Sequence, residues 1–126
     1  HPISIVLAQS AVESAWLTSR FTKLANNIFG IWSFKKTDSR IAASGLRGEK
    51  TIYLRKYKTF RESVENYYLN MAVGRAFKEF RKIRLQTDNP YEIVEHLHSY
   101  SEKRGEYVSL LKNMIKYNKF ERYDIK

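Results

Sequence analysis

The chain contains no cysteine, which excludes disulfides and thiolate metal sites. No stretch reaches the roughly 18 consecutive apolar residues of a membrane-spanning helix. Residues 2–19 come nearest, but they include Gln9, Glu13 and several serines and threonines, which favours a buried core helix. Internal repeats, low-complexity tracts and linkers are also missing, so residues 1–126 are interpreted as a single domain.

Acidic residues are few, 13 against 23 basic ones, which gives a net charge of +10. Such a surface attracts polyanions, among them nucleic acid, anionic lipid headgroups and anionic cell-wall polymers. Charge alone does not choose among these partners. A nucleic-acid binder would show salt-sensitive binding, but the Lys and Arg residues are scattered from residue 20 to residue 122 without a recognition helix. We therefore expect no nucleic-acid partner.

Apolar residues make up 43% of the chain and aromatic residues 14%, a composition that argues against disorder. The pattern predicts a mainly helical α+β domain. Residues 3–17 are predicted to form a helix that is apolar nearly all round, and we expect it to be buried on most sides. Residues 31–57, with Gly45 and Gly48 between β-favouring runs, predict a short hairpin or irregular β lobe with a Gly-containing turn. Further helices are predicted at about 60–71, 75–85, 90–97 and 106–117.

Two of these helices carry start signals. Thr59 followed three residues later by Glu62 has the form of a capping box before the first of them. Asn89 followed by Pro90 places a capping side chain before a proline at the first helical position. Both signals predict where the helix begins.

One carboxylate lies in the most hydrophobic part of the sequence. Glu13 is the only charged side chain from Pro2 to Ser19, and on a helix Gln9 and Trp16 share its face. A carboxyl group in apolar surroundings holds its proton more tightly, because desolvation penalises the charged form. Such a group can act as a general acid. The alternative is a carboxylate that pairs with a distant arginine or lies exposed at the helix end.

Three blocks of the sequence carry a family resemblance. The segment LAQSAVESAWLTSRFTKLANNIFGIW, residues 7–32, closely resembles the signature of bacterial glucosaminidases of glycoside hydrolase family 73, the flagellar-muramidase type, and is most similar to the Bax-like subgroup. FRESVENYYLNMAVGRAFKEFRKIR, residues 60–84, and YSEKRGEYVSLLKNMI, residues 100–115, resemble the same family in the same order. The resemblance covers nearly the whole chain.

The resemblance implies a lysozyme-like fold with a central buried helix and a small β lobe. It implies an endo-β-N-acetylglucosaminidase that cleaves β-1,4 bonds in peptidoglycan glycan strands, with Glu13 as the catalytic acid. No cofactor and no metal are expected, and the chain is expected to be a monomer. Because it begins with His1-Pro2 rather than Met, we expect a fragment trimmed at its N-terminus, without its signal segment, of a protein exported to the periplasm or cell envelope.

Glycosidases usually need a second carboxyl group. The resemblance places it in the β lobe, where the sequence offers Asp38 and Glu49. Glu49, 36 residues after Glu13, is the candidate base that activates water; the alternative is a solvated carboxylate at a hairpin tip. If neither acid serves, the acetamido group of the substrate can act as nucleophile. Tyr100, which resembles a family tyrosine, would then orient or stabilise it, or else be a core tyrosine.

Five further residues are expected at the substrate site. Gln9 shares the helix face of Glu13, and Asn27 either contacts substrate or caps and holds its loop. Phe29 and Trp32 are candidates for a sugar-stacking platform or for the core, and Tyr107 is a candidate whose alternative is packing. His96 and His98 are two residues apart and do not share a helix face, so they are interpreted as surface or packing groups.

Two other functions remain open at this point. A lytic transglycosylase of similar fold also uses one Glu as acid, but its sugar closes on itself without water. A non-catalytic wall-binding module would keep the site and lose the base.

Overall fold

The structure, a computed structural model, describes residues 1–47, 50–101 and 103–124. For residues 44–47 and 50 it describes the strand pairing and not the side chains. The chain divides into two units. The first unit consists of His1–Gln9 together with Leu69–Lys126, and the second unit consists of Ser10–Tyr68.

Helix α1 spans Ile3–Ser14, so it ends three residues before the predicted end at Leu17. The reason is a left-handed turn: Ala15, Trp16 and Leu17 have φ values of 50°, 57° and 66°. Residues other than glycine pay about 1–2 kcal/mol each for this conformation. The sequence prediction missed the turn because none of these three residues is a helix breaker.

The hydroxyl of Ser14 holds this turn in place. Ser14 is buried, and its Oγ donates a hydrogen bond to the carbonyl of Ser10 at 2.5 Å while accepting one from the Leu17 N–H at 2.8 Å. Both the Ser10 carbonyl and the Leu17 N–H are thereby satisfied, which offsets part of the conformational cost. The helix consequently stops one residue after Glu13.

A short helix follows that the sequence reading did not predict. Helix α2 spans Arg20–Ala25, and the side chain of Ser19 caps it by accepting a hydrogen bond from the Thr22 N–H at 3.2 Å. Serine is a preferred N-cap residue, so the signal was present in the sequence. The helix ends at Asn26, whose φ of 52° is left-handed.

The β lobe of the second unit is a three-stranded antiparallel sheet. Strands β1 (Trp32–Ser33), β2 (Arg40–Arg47) and β3 (Lys50–Arg55) lie in the order β1-β3-β2. The predicted hairpin is confirmed as β2–β3, and β1 is an additional strand. Between the pairs Ala42–Tyr53 and Leu46–Thr51, β2 advances four residues while β3 advances two, which is a bulge. Gly45 lies in this irregular part of β2, and Gly48 lies outside the described residues.

Helix α3 spans Phe60–Val73 and passes from the second unit into the first. Its predicted capping box is half confirmed. The Thr59 hydroxyl accepts from the Glu62 N–H at 3.2 Å, as expected, but the Glu62 carboxylate accepts from the Lys58 N–H at 2.9 Å, one residue before the cap.

The described part of the first unit contains helices and no strand. Helices α4 (Lys78–Ile83), α5 (Pro90–Val94) and α6 (Gly105–Asn118) are accompanied by 3₁₀ segments: Arg75–Phe77 precedes α4, Glu95–Tyr100 follows α5, and Phe120–Tyr123 follows α6. The predicted helices at 75–85 and 90–97 are thus each part 3₁₀ and part α. The cap of α5 is confirmed, because the Asn89 side chain accepts from the Tyr91 N–H at 2.9 Å.

Buried apolar side chains form the core of the first unit, and each contributes on the order of 1.5–3 kcal/mol. They are Ile5, Met71, Phe80, Ile93, Val94, Leu97, Tyr107, Leu111 and Ile115. The two ends of the chain are also joined in this unit, since the N–H and hydroxyl of Ser4 donate to the Asp124 carboxylate at 2.7 and 2.6 Å. Among the described residues, no helix has the length and apolarity needed to cross a bilayer.

Candidate active site

Glu13 lies in the last turn of α1, in the second unit, and is half-buried. Gly30 lies close to its carboxyl group. A Cβ atom built on Gly30 would lie 3.6 Å from Glu13 Oε2, and the φ of Gly30 is +68°. The backbone of the loop at residues 27–31 therefore approaches the carboxyl group with no side chain between them, in a conformation that favours glycine.

Asn27 fixes this loop from inside the protein. Its side-chain amide donates to the carbonyls of Ile31 and Arg55 at 3.0 and 2.9 Å, and its side-chain oxygen accepts from the Ile31 N–H at 3.1 Å. Because Asn27 is buried, each of these hydrogen bonds replaces water that the group has lost. The side chain thus joins the loop that carries Gly30 to the end of β3.

Two further contacts secure the same loop. The Asn26 amide donates to the carbonyls of Tyr57 and Lys58 at 3.0 and 3.1 Å. The Ile28 N–H donates to the hydroxyl of buried Ser63 on α3 at 3.1 Å. The backbone beside the Glu13 carboxyl is therefore connected to α2, β3 and α3, and this supports a preorganised arrangement of the loop.

The two candidate stacking residues lie in different surroundings. Phe29 is buried, and its ring stacks on that of Tyr67 with centroids 4.1 Å apart. Trp32, on β1, is 38% exposed, and its aromatic neighbour is Phe34, with ring centroids 6.0 Å apart. Phe34 is 82% exposed. The sequence alone did not identify Phe34 as a candidate binding residue, because the sequence pattern does not show which of Phe29 and Phe34 is buried.

Asp38, the other carboxylate considered for the lobe, is held by local partners. Its Oδ2 accepts from the Ser33 hydroxyl at 2.8 Å and lies 3.8 Å from Arg55 Nε. The hydrogen bond from Ser33, with a smaller contribution from the Arg55 charge, lowers the pKa of Asp38 below its ordinary value of 3.8. Asp38 is therefore ionised at neutral pH and ties β1 to β3.

The first unit contains Gln9, Tyr100 and Tyr107. Gln9 and Tyr107 are both buried, and the Gln9 amide donates to the Tyr107 hydroxyl at 3.1 Å. The Tyr107 ring lies parallel to that of Tyr100, within 5°, with centroids 5.8 Å apart, and Tyr100 also contacts Phe77. Tyr100 is half-buried. These three side chains form one connected polar and aromatic group.

Most of the residues predicted to contact substrate are buried in this structure. Gln9, Asn27, Phe29 and Tyr107 are all buried, and their contact with substrate stays a prediction, as do the roles of Glu13 and Tyr100. Glu49, the candidate base, lies outside the described residues. In the described ranges 1–47, 50–101 and 103–124 there is no group of three or more His, Cys, Asp or Glu side chains arranged to hold a metal ion.

Comparison with known proteins identifies relatives over nearly the whole chain. The glucosaminidase family model, described as mannosyl-glycoprotein endo-β-N-acetylglucosaminidase, matches residues 1–120. Protein bax of Escherichia coli K12 is 28% identical over 123 residues, which cover 93% of this chain and 43% of that protein. The chain thus spans less than half the length of this curated relative.

Two solved structures share the fold. The catalytic domain of the autolysin Auto from Listeria monocytogenes superimposes with a TM-score of 0.76 at 23% identity, covering 96% of this chain and 74% of that one. An N-acetylmuramoyl-L-alanine amidase from Staphylococcus aureus superimposes with a TM-score of 0.73 at 22% identity, covering 98% of this chain and 37% of that one. These similarities confirm the expected α+β, mainly α fold class.

Proposed function

Since this chain belongs to the glucosaminidase family, we propose that it is a peptidoglycan hydrolase. Its reaction is endo-β-N-acetylglucosaminidase cleavage of β-1,4 bonds in glycan strands, with Glu13 as the general acid. The substrate places the protein in the cell envelope. A structural neighbour described as an autolysin catalytic domain is in keeping with this assignment.

The observation that carries the proposal is the position of Glu13 against Gly30. A general acid must bring its carboxyl group within hydrogen-bond reach of the oxygen it protonates. Here the carboxyl group stands at the end of a helix, half-buried, opposite a residue without a side chain. The loop that presents Gly30 is fixed by hydrogen bonds between the Asn27 side chain and the backbone of Ile31 and Arg55. This combination supports a carboxyl group that lies against a fixed backbone segment.

The proposed reaction begins when the Glu13 carboxyl group gives its proton to the glycosidic oxygen. The bond between that oxygen and the anomeric carbon breaks, and positive charge develops on the sugar ring. In one route Glu49 takes a proton from water, and the resulting hydroxyl adds to the anomeric carbon. In the other route the acetamido oxygen of the substrate attacks first and water opens the ring that forms, with Tyr100 orienting the acetamido group.

The test is the substitution Glu13→Gln, which removes the proton and keeps the shape of the side chain. Release of fragments from purified sacculi should fall by roughly 10²–10⁴-fold, with an unchanged Tm. The matched control is Glu65→Gln, which alters an exposed carboxylate that pairs with Arg61 and should leave the rate as in the wild type. If Glu13→Gln digests sacculi like the wild type, the proposed role of Glu13 is wrong.

Analysis of the products distinguishes the neighbouring reactions. Mass spectrometry should find new reducing-end N-acetylglucosamine, as hydrolysis at this linkage requires. Anhydro-muramic ends would instead establish a lytic transglycosylase, and binding to sacculi without any release would establish a wall-binding module. Glu49→Gln measured in parallel separates the two hydrolytic routes, because only the first route loses its base.

A further inference from the structure

The β lobe presents two aromatic rings to solvent at one end of the sheet. Trp32 and Phe34 lie 38% and 82% exposed, with centroids 6.0 Å apart and planes inclined by 45°. We call these two rings the aromatic pair. Exposing this much apolar ring surface is unfavourable in water, and adjacent exposed apolar groups mark binding surfaces.

Hydrogen bonds fix the backbone around the aromatic pair. Ser33, between the two rings, is buried, and its hydroxyl donates to Asp38 Oδ2 at 2.8 Å. The turn that follows is closed by the Asp38 N–H, which donates to the Lys35 carbonyl at 3.1 Å. Phe34 is thus exposed on a fixed segment rather than on a loose loop, so little ordering entropy is lost when a ligand covers its ring.

Most of the net positive charge lies in the sequence segment that contains the same lobe, because acidic residues are rare there. Residues 20–58 contain ten of the 23 basic residues and two of the 13 acidic residues, which is +8 of the net +10. Lys36, next to the aromatic pair in sequence, is exposed. The lobe therefore combines ring faces with a local excess of positive charge, and it complements a ligand that has apolar ring faces and anionic groups.

We propose that the aromatic pair is a carbohydrate-binding subsite that stacks sugar rings of a peptidoglycan strand, whose stem-peptide carboxylates interact with the surrounding lysine and arginine side chains. The axial C–H bonds of a pyranose pack against the face of an aromatic ring, and the spacing of the two rings is comparable to the advance of one sugar along a β-1,4-linked chain. This inference rests on the proposed function and names a binding element for the same substrate.

Charge and rings together favour this occupant over a simple polyanion. A phosphate polymer would be bound by the cations alone and would gain nothing from Phe34. A glycan strand without peptides would use the rings and gain little from the charge. A glycan strand that carries stem peptides has both kinds of group and therefore uses both features of the lobe.

The experiment measures binding in the Glu13→Gln background, so that the ligand is not consumed. Phe34→Ala should weaken binding to purified sacculi about tenfold, equivalent to ~1.4 kcal/mol. The matched control is Tyr117→Ala, which removes an aromatic ring that is 88% exposed on α6 and should leave binding within twofold. Lys36→Gln should weaken binding to intact sacculi, and this loss should disappear at high salt.

Two further ligands identify what the lobe recognises. Glycan strands stripped of stem peptides should still distinguish Phe34→Ala from Tyr117→Ala but should no longer respond to Lys36→Gln. Sacculi freed of attached phosphate polymers should bind as before. The inference is overturned if Phe34→Ala binds like Tyr117→Ala, or if removing the phosphate polymers abolishes binding. Catalysis is measured separately, so hydrolysis that survives Glu13→Gln contradicts the proposed function without touching this result.

Discussion

Gly30→Ala is the perturbation that tests the geometry beside Glu13 most directly. It adds a single methyl group at a residue whose φ is +68°, and the new Cβ lies 3.6 Å from Glu13 Oε2. That separation is an ordinary van der Waals contact, so no clash is created. The two consequences are backbone strain at residue 30 and a methyl group in the space next to the carboxyl group.

The strain sets the expected loss of stability. An alanine in the left-handed region costs about 1–2 kcal/mol relative to its preferred conformations, so the free energy of unfolding should fall by that amount and Tm by several degrees. Small domains are stable by about 5–15 kcal/mol, so nearly all molecules stay folded at 25 °C. A fall in kcat at that temperature therefore reports on the site and not on the folded fraction.

The assay pairs thermal unfolding with the rate of fragment release from sacculi. The added methyl group lies beside the Glu13 carboxyl group and should displace the substrate there, and misplacement by about 1 Å can cost on the order of 10²-fold, so we expect kcat to fall by roughly 10–100-fold. The control is Gly105→Ala, where the new Cβ meets nothing within 4 Å. That variant should keep the wild-type rate, with Tm unchanged or raised.

A second control separates strain from position. In Gly74→Ala the new Cβ would lie 2.7 Å from the Asn70 carbonyl oxygen, so this variant should lose stability while its kcat, measured on folded protein, stays the same. If Gly30→Ala keeps both its Tm and its kcat, the loop does not approach Glu13 as described, and the reasoning about the site is refuted.

Two other predictions concern the groups that hold the lobe. Asn27→Ala should destabilise the protein by about 2–4 kcal/mol, since the part-buried Ile31 N–H and Arg55 carbonyl each lose a hydrogen-bond partner; an unchanged Tm with a raised KM would instead identify Asn27 as a substrate contact. The lowered pKa of Asp38 contributes stability that is present above pH 3.8 and is lost as the pH falls through the folded-state pKa. Ser33→Ala should raise that pKa toward 3.8, so the contribution becomes smaller and its loss is complete at a higher pH; carboxyl NMR titration measures the pKa, and an unmoved pKa contradicts the assigned cause.

Local signals allowed much of the fold to be predicted. The helix starts at Phe60 and Pro90 follow from side chains that accept backbone hydrogen bonds within three residues, and the β2–β3 hairpin follows from short β-favouring runs. The start of α2 at Ser19 had such a signal too, but its six residues are too few to show a helical period. Interactions between residues close in sequence can be predicted from the local sequence pattern, and this is why these helix starts and the hairpin were predicted.

The end of α1 at Ser14 could not be predicted from such local signals. Ala15, Trp16 and Leu17 favour a right-handed helix, yet the structure holds them in a left-handed turn closed by Ser14. A run of three strained residues persists only where the surrounding structure compensates for its cost. That compensation comes from packing and hydrogen bonds that no local propensity contains.

The sequence by itself determined the family, the mainly helical α+β class and the isolation of Glu13 among apolar residues, because motif spacing and composition are properties of the chain. Only the tertiary structure decided that Gly30 lies beside the Glu13 carboxyl group, that Asn27 is bonded to the backbone of Ile31 and Arg55, and that Phe34 rather than Phe29 is exposed beside Trp32. These facts depend on contacts between residues far apart in sequence. Such contacts are fixed by packing of the whole unit, which a linear pattern does not encode.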